Sequence, residues 1–380
     1  MLRTSPNRLW QVKPTEMLLH YPDYSRQERV VMRVDWASGR ALEAKRWLEK
    51  VEIVGVAAGA GPAARGPEPV ILRESFGSPR GFYRLSSRLE VAGKVLTQAE
   101  AEAVLADVRI DRFATRVVDE LGDFRVAATS VIRPSATKTA ARGAVICIYP
   151  GSPMSFSVTR YAGGTACTIP VTELLSHGYT VVLADILGPP SSVPLEGELI
   201  RARTVLDSLV PQLYLAAERG YIDIGALVVM GHSQGALASV QAASSTTLFR
   251  GAIGFSGVRY APFNQTIAFP TNAPSSLGYV LIDAIHFTAG LSDILDNAPY
   301  YRAARVTAPI LLVHGEVDMA PIAASELMAD ALQRAGKQVE LVRYPGEGHD
   351  VERWSDTDRA DVTRRVLTFL EKCFARRAAK

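Results

Sequence analysis

A serine set between two glycines is the strongest sign of chemistry in this sequence. The motif Gly231-x-Ser233-x-Gly235 follows an apolar run, Leu227–Met230, and leads into a predicted helix, Gly235–Ser244. Glycines suit a turn too sharp for a Cβ, which would project Ser233 from the edge of a sheet. The N–H group of Gln234, at the start of the helix, is placed to bind an oxyanion. A glycine-rich turn with a capping serine is the alternative interpretation.

A serine hydroxyl is a weak nucleophile at neutral pH, so it needs a base and an acid that orients the base. Asp318 follows the apolar run Ile310–Val313 and is our candidate for the acid. It is preferred to its neighbour Glu316 because Gly315 lets the chain turn and leaves Asp318 on the crest of the loop. A solvated loop carboxylate is the alternative for either residue.

The candidate base is His349, in the loop Pro345–Asp350, which contains two glycines and a proline and is expected to be exposed. His314 instead ends a buried strand, and we interpret it as a satisfied core residue or one that supports the site. The remaining histidines lack such a position: His20, His177, His232 and His286. The chain order Ser, Asp, His is that of the α/β-hydrolase fold. The sequence therefore predicts a triad of Ser233, Asp318 and His349.

A second oxyanion donor is expected where another buried strand ends. The run Ala144–Ile148 is followed by Tyr149-Pro-Gly-Ser-Pro153. Either a backbone N–H of this turn or the Tyr149 hydroxyl could donate to a developing negative charge. A surface tyrosine beside a common Pro/Gly turn is the alternative.

The elements that must position these residues lie between about residue 109 and the C-terminus. Strand candidates are Phe113–Glu120, Phe124–Arg133, Ala144–Ile148, Tyr179–Ala184, Leu227–Met230, Gly251–Phe255, Ile310–Val313 and Val339–Tyr344. Helix candidates are Val171–His177, Gly197–Arg219, Gly235–Ser244, Pro321–Ala335 and Asp356–Arg376. Near-continuous apolar runs alternating with helices predict a mostly parallel, doubly wound sheet, that is, an α/β-hydrolase domain over residues 109–380.

Residues 1–108 are predicted to form a separate β-rich region. The strand candidates are Arg29–Trp36, Val51–Val56, Pro69–Arg73 and Gly81–Leu85, separated by Gly/Pro clusters. Strands at this spacing fit one blade and part of another in a propeller. A short helix is predicted over Thr97–Leu105, with Thr97 as N-cap and Glu100 three residues on.

Taken together, these motifs resemble the prolyl oligopeptidase family of serine peptidases. The resemblance begins near Arg112 and is sharpest from Ala308 to Asp318 and from Gly336 to His349. It implies an α/β-hydrolase fold, peptidase activity without a cofactor or metal, and a Tyr149 hydroxyl that donates to the oxyanion. The N-terminal region resembles only the last part of the family's propeller. The chain would then be either a fragment or a shortened form with an open active site.

Three functions follow from these residues, and the sequence leaves them open. The first is hydrolysis of peptide or peptide-like bonds, isopeptide bonds included, through an acyl-enzyme. The second is an esterase or acyl hydrolase, since the same triad cleaves esters. The third is a non-catalytic interaction module. A peptide or small acyl substrate is the expected partner, and a homo-oligomer is kept as an option.

Composition and charge limit the partners and the compartment. A net charge of +3 over 380 residues does not favour nucleic acid or an anionic membrane. The N-terminus lacks the apolar core of a signal peptide, and no apolar stretch is long enough to span a bilayer. Cys147, in an apolar run, is expected to be a buried free thiol, and three widely spaced cysteines do not suggest disulfides. We therefore expect a cytoplasmic protein.

Overall fold

The strands of the first part of the chain are only partly buried, whereas the central strands of the second part are buried on both faces. The structure is a computed structural model that describes residues 10–24, 26–57, 68–97, 108–119, 122–135, 142–188, 201–258, 260 and 295–375. It divides into two compact units, Met1–Asp107 with Phe156–Gly164 and Val108–Ser155 with Thr165–Lys380. The domain boundary after residue 108 stays a prediction, because compactness does not show that either part folds alone.

The first unit contains two four-stranded antiparallel sheets. In chain order, the first sheet is β1 (Trp10–Lys13), β2 (Glu16–Asp23), β3 (Glu28–Asp35) and β4 (Ala41–Trp47). The second is β5 (Lys50–Ala57), β6 (Glu68–Ser75), β7 (Ser78–Leu85) and β8 (Val91–Thr97). A four-stranded antiparallel sheet is the unit of a propeller blade, so this part holds two blade-like sheets where the sequence predicted one and part of another.

Both sheets contribute to one apolar cluster, in which every residue is at most 2% exposed: Leu18, Val31, Val51, Ile53, Ile71, Leu85 and Leu89. The missed strands have weaker patterns. In β4 most residues are exposed and the sequence Ala-Leu-Glu-Ala-Lys-Arg-Trp does not alternate, so its pairing with β3 makes it a strand. Pairing across the ladder, rather than local pattern, decides such a segment.

The predicted cap at Thr97 is wrong. Thr97 is the last residue of β8 and pairs with Gly81 of β7. The ladder supplies its backbone with partners that a short isolated helix could not match, since short helices are marginal on their own. Residues 98–105 of the predicted helix lie outside the described residues.

The second unit contains an eight-stranded sheet in the order β16-β15-β14-β13-β11-β12-β10-β9. Its strands are β9 (Val108–Val118), β10 (Phe124–Pro134), β11 (Ala144–Ile148), β12 (Thr180–Ala184), β13 (Leu227–His232), β14 (Gly251–Phe255), β15 (Ile310–Gly315) and β16 (Val339–Tyr344). The antiparallel hairpin β9–β10 forms one edge, and the six other strands are parallel. The predicted α/β-hydrolase architecture is confirmed.

Four α-helices in the described part of this unit lie between parallel strands: α1 (Val171–Ser176), α2 (Ala202–Glu218), α3 (Gln234–Ser245) and α4 (Ala323–Arg334). A further helix, α5 (Asp356–Ala375), follows the last strand. Every residue of β11, β12 and β14 is buried, which explains why their sequences are continuous apolar runs. The predicted start of α4 at Pro321 is two residues early. The described helices include none long and apolar enough to cross a bilayer.

A disulfide joins Cys147 in β11 to Cys167, with Cα atoms 5.4 Å apart. The prediction of a free thiol at Cys147 is therefore wrong. Cys373, which is buried, is the cysteine outside this disulfide. The two partners are 20 residues apart with no recognisable spacing, so only the folded path of the chain brings them together. Disulfides persist mainly in oxidising compartments, which removes the support that the cysteines gave to a cytoplasmic location.

The pairing predicts a thiol count. Protein purified without reductant and unfolded in guanidinium should expose one reactive thiol, that of Cys373, and three after reduction. A Cys373→Ser variant, as control, should show none before reduction. Titration with a chromogenic disulfide reagent measures this directly, and three thiols before reduction would contradict the pairing.

Candidate active site

The predicted site residues all follow parallel strands of one sheet. Tyr149 comes directly after β11, Ser233 after β13, Asp318 shortly after β15 and His349 shortly after β16. In a parallel sheet the carboxyl ends of the strands lie along the same edge, and residues that follow them face a common region. The fold thus places the four predicted residues on the carboxyl edge of the sheet.

Ser233 has the backbone conformation of a sharp turn between strand and helix. Its φ of 54° and ψ of −115° lie in a region that side-chain-bearing residues rarely adopt. The Ser233 N–H donates to the carbonyl oxygen of Phe255 at 2.8 Å, which ties the turn to β14. Strain of this kind persists only where the surrounding structure imposes it, and such strain is frequent at functional sites.

The two glycines of the motif are required by close approach of backbones. A Cβ at Gly231 would lie closer than 3.0 Å to the backbone of Gly235. A Cβ at Gly235 would clash in the same way with the Ile148 carbonyl and would lie 3.5 Å from the Cα of Tyr149. The start of α3 therefore packs directly on the end of β11. This contact brings the turn of Ser233 beside that of Tyr149.

Asp318 and His349 form a hydrogen-bonded pair. His349 Nδ1 donates to Asp318 Oδ1 at 2.8 Å, and the Ala320 N–H donates to the same oxygen at 2.7 Å. The Asp318 side chain is fully buried, whereas 20% of the His349 side chain is exposed. Burial opposes the charge on Asp318, but hydrogen bonds, chiefly that from His349, outweigh burial and lower its pKa. Asp318 is thus a carboxylate that fixes the proton on Nδ1 of His349.

Glu316, the alternative acid, is exposed to solvent. Gly315, which we expect to let the chain turn, is the last residue of β15. Its φ is not positive, so it does not make a left-handed turn. A Cβ at Gly315 would instead lie closer than 3.0 Å to the carbonyl oxygens of Glu347 and Gly348. The end of β15 therefore packs against the backbone of the loop that contains His349.

Two residues beside His349 were not assigned a role from sequence. His232, which precedes Ser233, donates from Nε2 to the His349 carbonyl oxygen at 2.8 Å, and the two rings lie 4.5 Å apart. Ser256, buried and at a φ of 47°, donates from Oγ to the same oxygen at 3.2 Å. Burial, followed by the charge of His349, lowers the pKa of His232, which keeps it neutral. His232 could have been found from sequence, because it is a polar residue next to the nucleophile at the end of a buried strand.

His314 contacts the loop that contains Asp318. It is completely buried, accepts from Ser325 Oγ at 2.8 Å through Nδ1, and donates through Nε2 to the Ala320 carbonyl oxygen at 2.8 Å. Burial lowers its pKa, so the ring is neutral. Its Nε2 also lies 3.4 Å from Asp318 Oδ2. These contacts agree with the expectation of a satisfied core residue and add that it holds the loop of Asp318.

Tyr149 and Gln234 lie on the two turns that meet at Gly235. Gln234 is the first residue of α3, and the first N–H groups of a helix have no partner within it. The Ser152 N–H closes the turn after β11 by donating to the Tyr149 carbonyl oxygen at 3.1 Å. The described residues include no group of three or more His, Cys, Asp or Glu that could hold a metal ion.

Comparison with known proteins assigns the family. A sequence model of the prolyl oligopeptidase family matches residues 171–377, which include Ser233, Asp318 and His349. The chain belongs to the prolyl oligopeptidase family. An uncharacterised peptidase of Bacillus subtilis (strain 168), YuxL, is 30% identical over 137 residues, which are 35% of this chain and 20% of the relative.

Solved structures of the family share the fold over almost the whole chain. The AtxE2 isopeptidase, an S527A variant with Astexin3-dC4 bound, matches with a TM-score of 0.73 and 19% identity over 97% of this chain and 55% of its own. A puromycin-hydrolyzing peptidase of Mycobacterium tuberculosis matches with a TM-score of 0.66 and 15% identity over 96% of this chain and 53% of its own. The chain thus spans about half the length of these structures.

The approach of β15 to the histidine loop generates a prediction. Gly315→Ala should slow covalent labelling of the protein by a fluorophosphonate at least ~100-fold, since displacement of a catalytic group by about 1 Å has that effect. Gly348→Ala is the matched control, because a Cβ there meets nothing within 4 Å. The control should label within about threefold of the parent, as open surface substitutions do. Equal labelling of both variants would contradict the prediction.

Proposed function

We propose that this chain is a serine peptidase that cleaves peptide or isopeptide bonds through an acyl-enzyme, with Ser233, Asp318 and His349 as its triad. The observation that supports this most is the hydrogen bond from His232 to the His349 carbonyl oxygen. It joins the residue before the nucleophile to the base across 117 positions of sequence. Together with the Asp318–His349 hydrogen bond, it supports the assignment of these residues as nucleophile, acid and base.

The proton movements follow from the tautomer of His349. Because Nδ1 donates to Asp318, the other ring nitrogen, Nε2, is left to accept a proton. In the proposed reaction His349 Nε2 takes the Ser233 proton as Oγ attacks the carbonyl carbon. The same nitrogen then gives the proton to the leaving amine, and an acyl-enzyme remains. Water, activated by His349 in turn, hydrolyses that ester and restores Ser233.

Negative charge on the tetrahedral intermediate would be stabilised by two donors, the Gln234 N–H and the Tyr149 hydroxyl. The contact of Gly235 with the Ile148 carbonyl and the Tyr149 Cα supports this assignment, since it sets both turns side by side. A helix N-terminus adds partial positive charge from its aligned peptide dipoles. Donors of this kind are already oriented when charge develops, and so they favour the transition state over the ground state.

The substrate class is tested with matched compounds. Peptide anilides, isopeptide-linked peptides and short p-nitrophenyl esters should be compared at equal concentrations. The puromycin-hydrolyzing peptidase and the isopeptidase among the structural neighbours suggest the first two. We expect kcat/KM to favour an amide substrate over its ester after correction for the intrinsic reactivity of each. Turnover of esters alone would instead support the acyl hydrolase.

Loss of the nucleophile gives the most direct prediction. Ser233→Ala should reduce kcat by ~10⁴-fold or more, and His349→Ala should reduce it nearly as much, because triad members act as a unit. The fold should remain, since the turn requires only a small residue at this position, and circular dichroism with thermal unfolding checks this. Turnover by Ser233→Ala above about one per cent of the parent would rule out the triad assignment.

Tyr149→Phe tests the second oxyanion donor, because it removes one hydroxyl and almost no volume. We expect kcat to fall by about 10²–10³-fold with KM little changed, since the donor is aimed at the oxyanion and not at the substrate carbonyl. Steady-state kinetics on a substrate with rate-limiting acylation measure this. An unchanged kcat would identify Tyr149 as a structural residue only.

A further inference from the structure

Asp185, directly after β12, is a partly buried carboxylate that the reaction does not use. It accepts from the Ser155 N–H through Oδ1 at 2.7 Å and from the Ser155 hydroxyl through Oδ2 at 3.0 Å. Within the described part of the chain no Arg, Lys or His side chain forms an ion pair with it. Burial raises its pKa to about 6 against the effect of these hydrogen bonds, so it is still a carboxylate above neutral pH.

The residue that Asp185 binds ends the turn that begins with Tyr149. This turn, Tyr149–Ser155, is called the oxyanion turn below. The Gly151 N–H, in its middle, donates to the Ile186 carbonyl oxygen at 3.0 Å. A Cβ at Gly188 would lie 3.2 Å from the Cα of Gly151, so the two turns pack backbone against backbone. The oxyanion turn is therefore attached at its middle and its end to the residues that follow β12.

Buried polar side chains also hydrogen-bond to the backbones of Asp185 and Ser155. Gln212 of α2 donates from Nε2 to the Asp185 carbonyl oxygen at 2.8 Å and accepts from Thr129 Oγ1 at 2.6 Å. Ser130 Oγ donates to the Ser155 carbonyl oxygen at 2.8 Å. Gln212, Thr129 and Ser130 are all fully buried. Asp185 thus lies between these buried side chains and the end of the oxyanion turn.

We propose that Asp185 is a positioning residue, which holds the oxyanion turn so that the Tyr149 hydroxyl meets the developing negative charge. This inference rests on the proposed function and concerns the same site. A carboxylate suits the task because its two oxygens accept both Ser155 donors at once. An alanine would leave the Ser155 N–H without its partner and hold the end of the turn by the Ser130 hydroxyl alone. Tyr149 could then shift by the small distances that weaken catalysis.

The test is a double-mutant cycle between positions 185 and 149. Asp185→Ala should lower kcat by about 10–100-fold with KM changed less than about threefold, because transition-state stabilisation is lost and binding is not. In the Tyr149→Phe background the same substitution should lower kcat by less than about threefold, because the hydroxyl that it misplaces is already gone. Asp185→Asn should keep most of the parent kcat, since the amide oxygen still accepts from the Ser155 N–H. Assays at pH 8 keep Asp185 ionised.

Two further variants make the cycle decisive. Asp223 is an exposed aspartate that accepts from the Gly225 N–H at 2.8 Å just before β13, at the opposite edge of the sheet. Asp223→Ala is therefore the control for loss of a turn-holding carboxylate, and its kcat should not change. If Asp185→Ala does not fold, Ser155→Ala removes the hydroxyl donor alone. A smaller loss of kcat is then expected, of about 3–10-fold, with the same dependence on Tyr149.

The outcomes distinguish a failure of this inference from a failure of the proposed function. A loss of kcat that is equal in the Tyr149 and Tyr149→Phe backgrounds would show a general structural role and overturn the inference. An effect on KM alone, or no effect of Asp185→Ala, would overturn it as well. Failure of the proposed function shows elsewhere, in an active Ser233→Ala or a fully active Tyr149→Phe variant. A loss that depends on the Tyr149 hydroxyl supports the inference.

Discussion

A carboxylate as buried as Asp318 is stable only when donors replace the water that it has lost, and much of the carboxyl edge serves that requirement. His349 Nδ1 and the Ala320 N–H share one of its oxygens, at 2.8 and 2.7 Å. The His314 ring fixes the loop through the Ala320 carbonyl. Without these donors burial would raise the pKa of Asp318, and His349 would lose the partner that sets its tautomer. The tautomer of His349 thus depends on the hydrogen bonds that keep Asp318 charged.

The same edge depends on backbones that approach closer than any side chain allows. Glycine at 231 and 235 lets the helix start pack on β11, and Gly315 lets β15 pack on the histidine loop. Gly188 and Gly151 repeat this arrangement between the turns that follow β12 and β11. These close approaches bring the turns that carry the Ser233 hydroxyl, the His349 imidazole and the Gln234 N–H nearer to one another. Precise positions in a site require such rigid, close contacts.

Outside the sheet edge, the structure changes two expectations about this protein. The first unit has two complete four-stranded sheets with a shared apolar cluster, so it is more regular than its sequence suggested. The Cys147–Cys167 disulfide places a covalent link two residues before Tyr149 and closes a loop that contains the oxyanion turn. A link of this kind restricts the unfolded chain and favours the folded loop. Stability and the geometry of the proposed site are therefore connected through the same segment.

The sequence by itself determined the fold of the second unit, because strands buried on both faces must be apolar throughout. Ala144–Ile148 and Gly251–Phe255 are such strands and have the predicted ends, and the glycines around Ser233 indicated the turn. The strand β4 was missed and Thr97, the end of β8, was assigned to a helix. Both have weak local patterns, and their pairing partners are other strands of the sheet.

Only the tertiary structure decided which polar groups meet. The contacts of His232 with His349, of Asp185 with Ser155 and of Cys147 with Cys167 span 117, 30 and 20 residues. No local pattern encodes such contacts, since a histidine or an aspartate at the end of a strand looks the same with or without its partner. Local sequence selects which segments become strands and helices, whereas the order of the strands in the sheet selects which of their ends are neighbours.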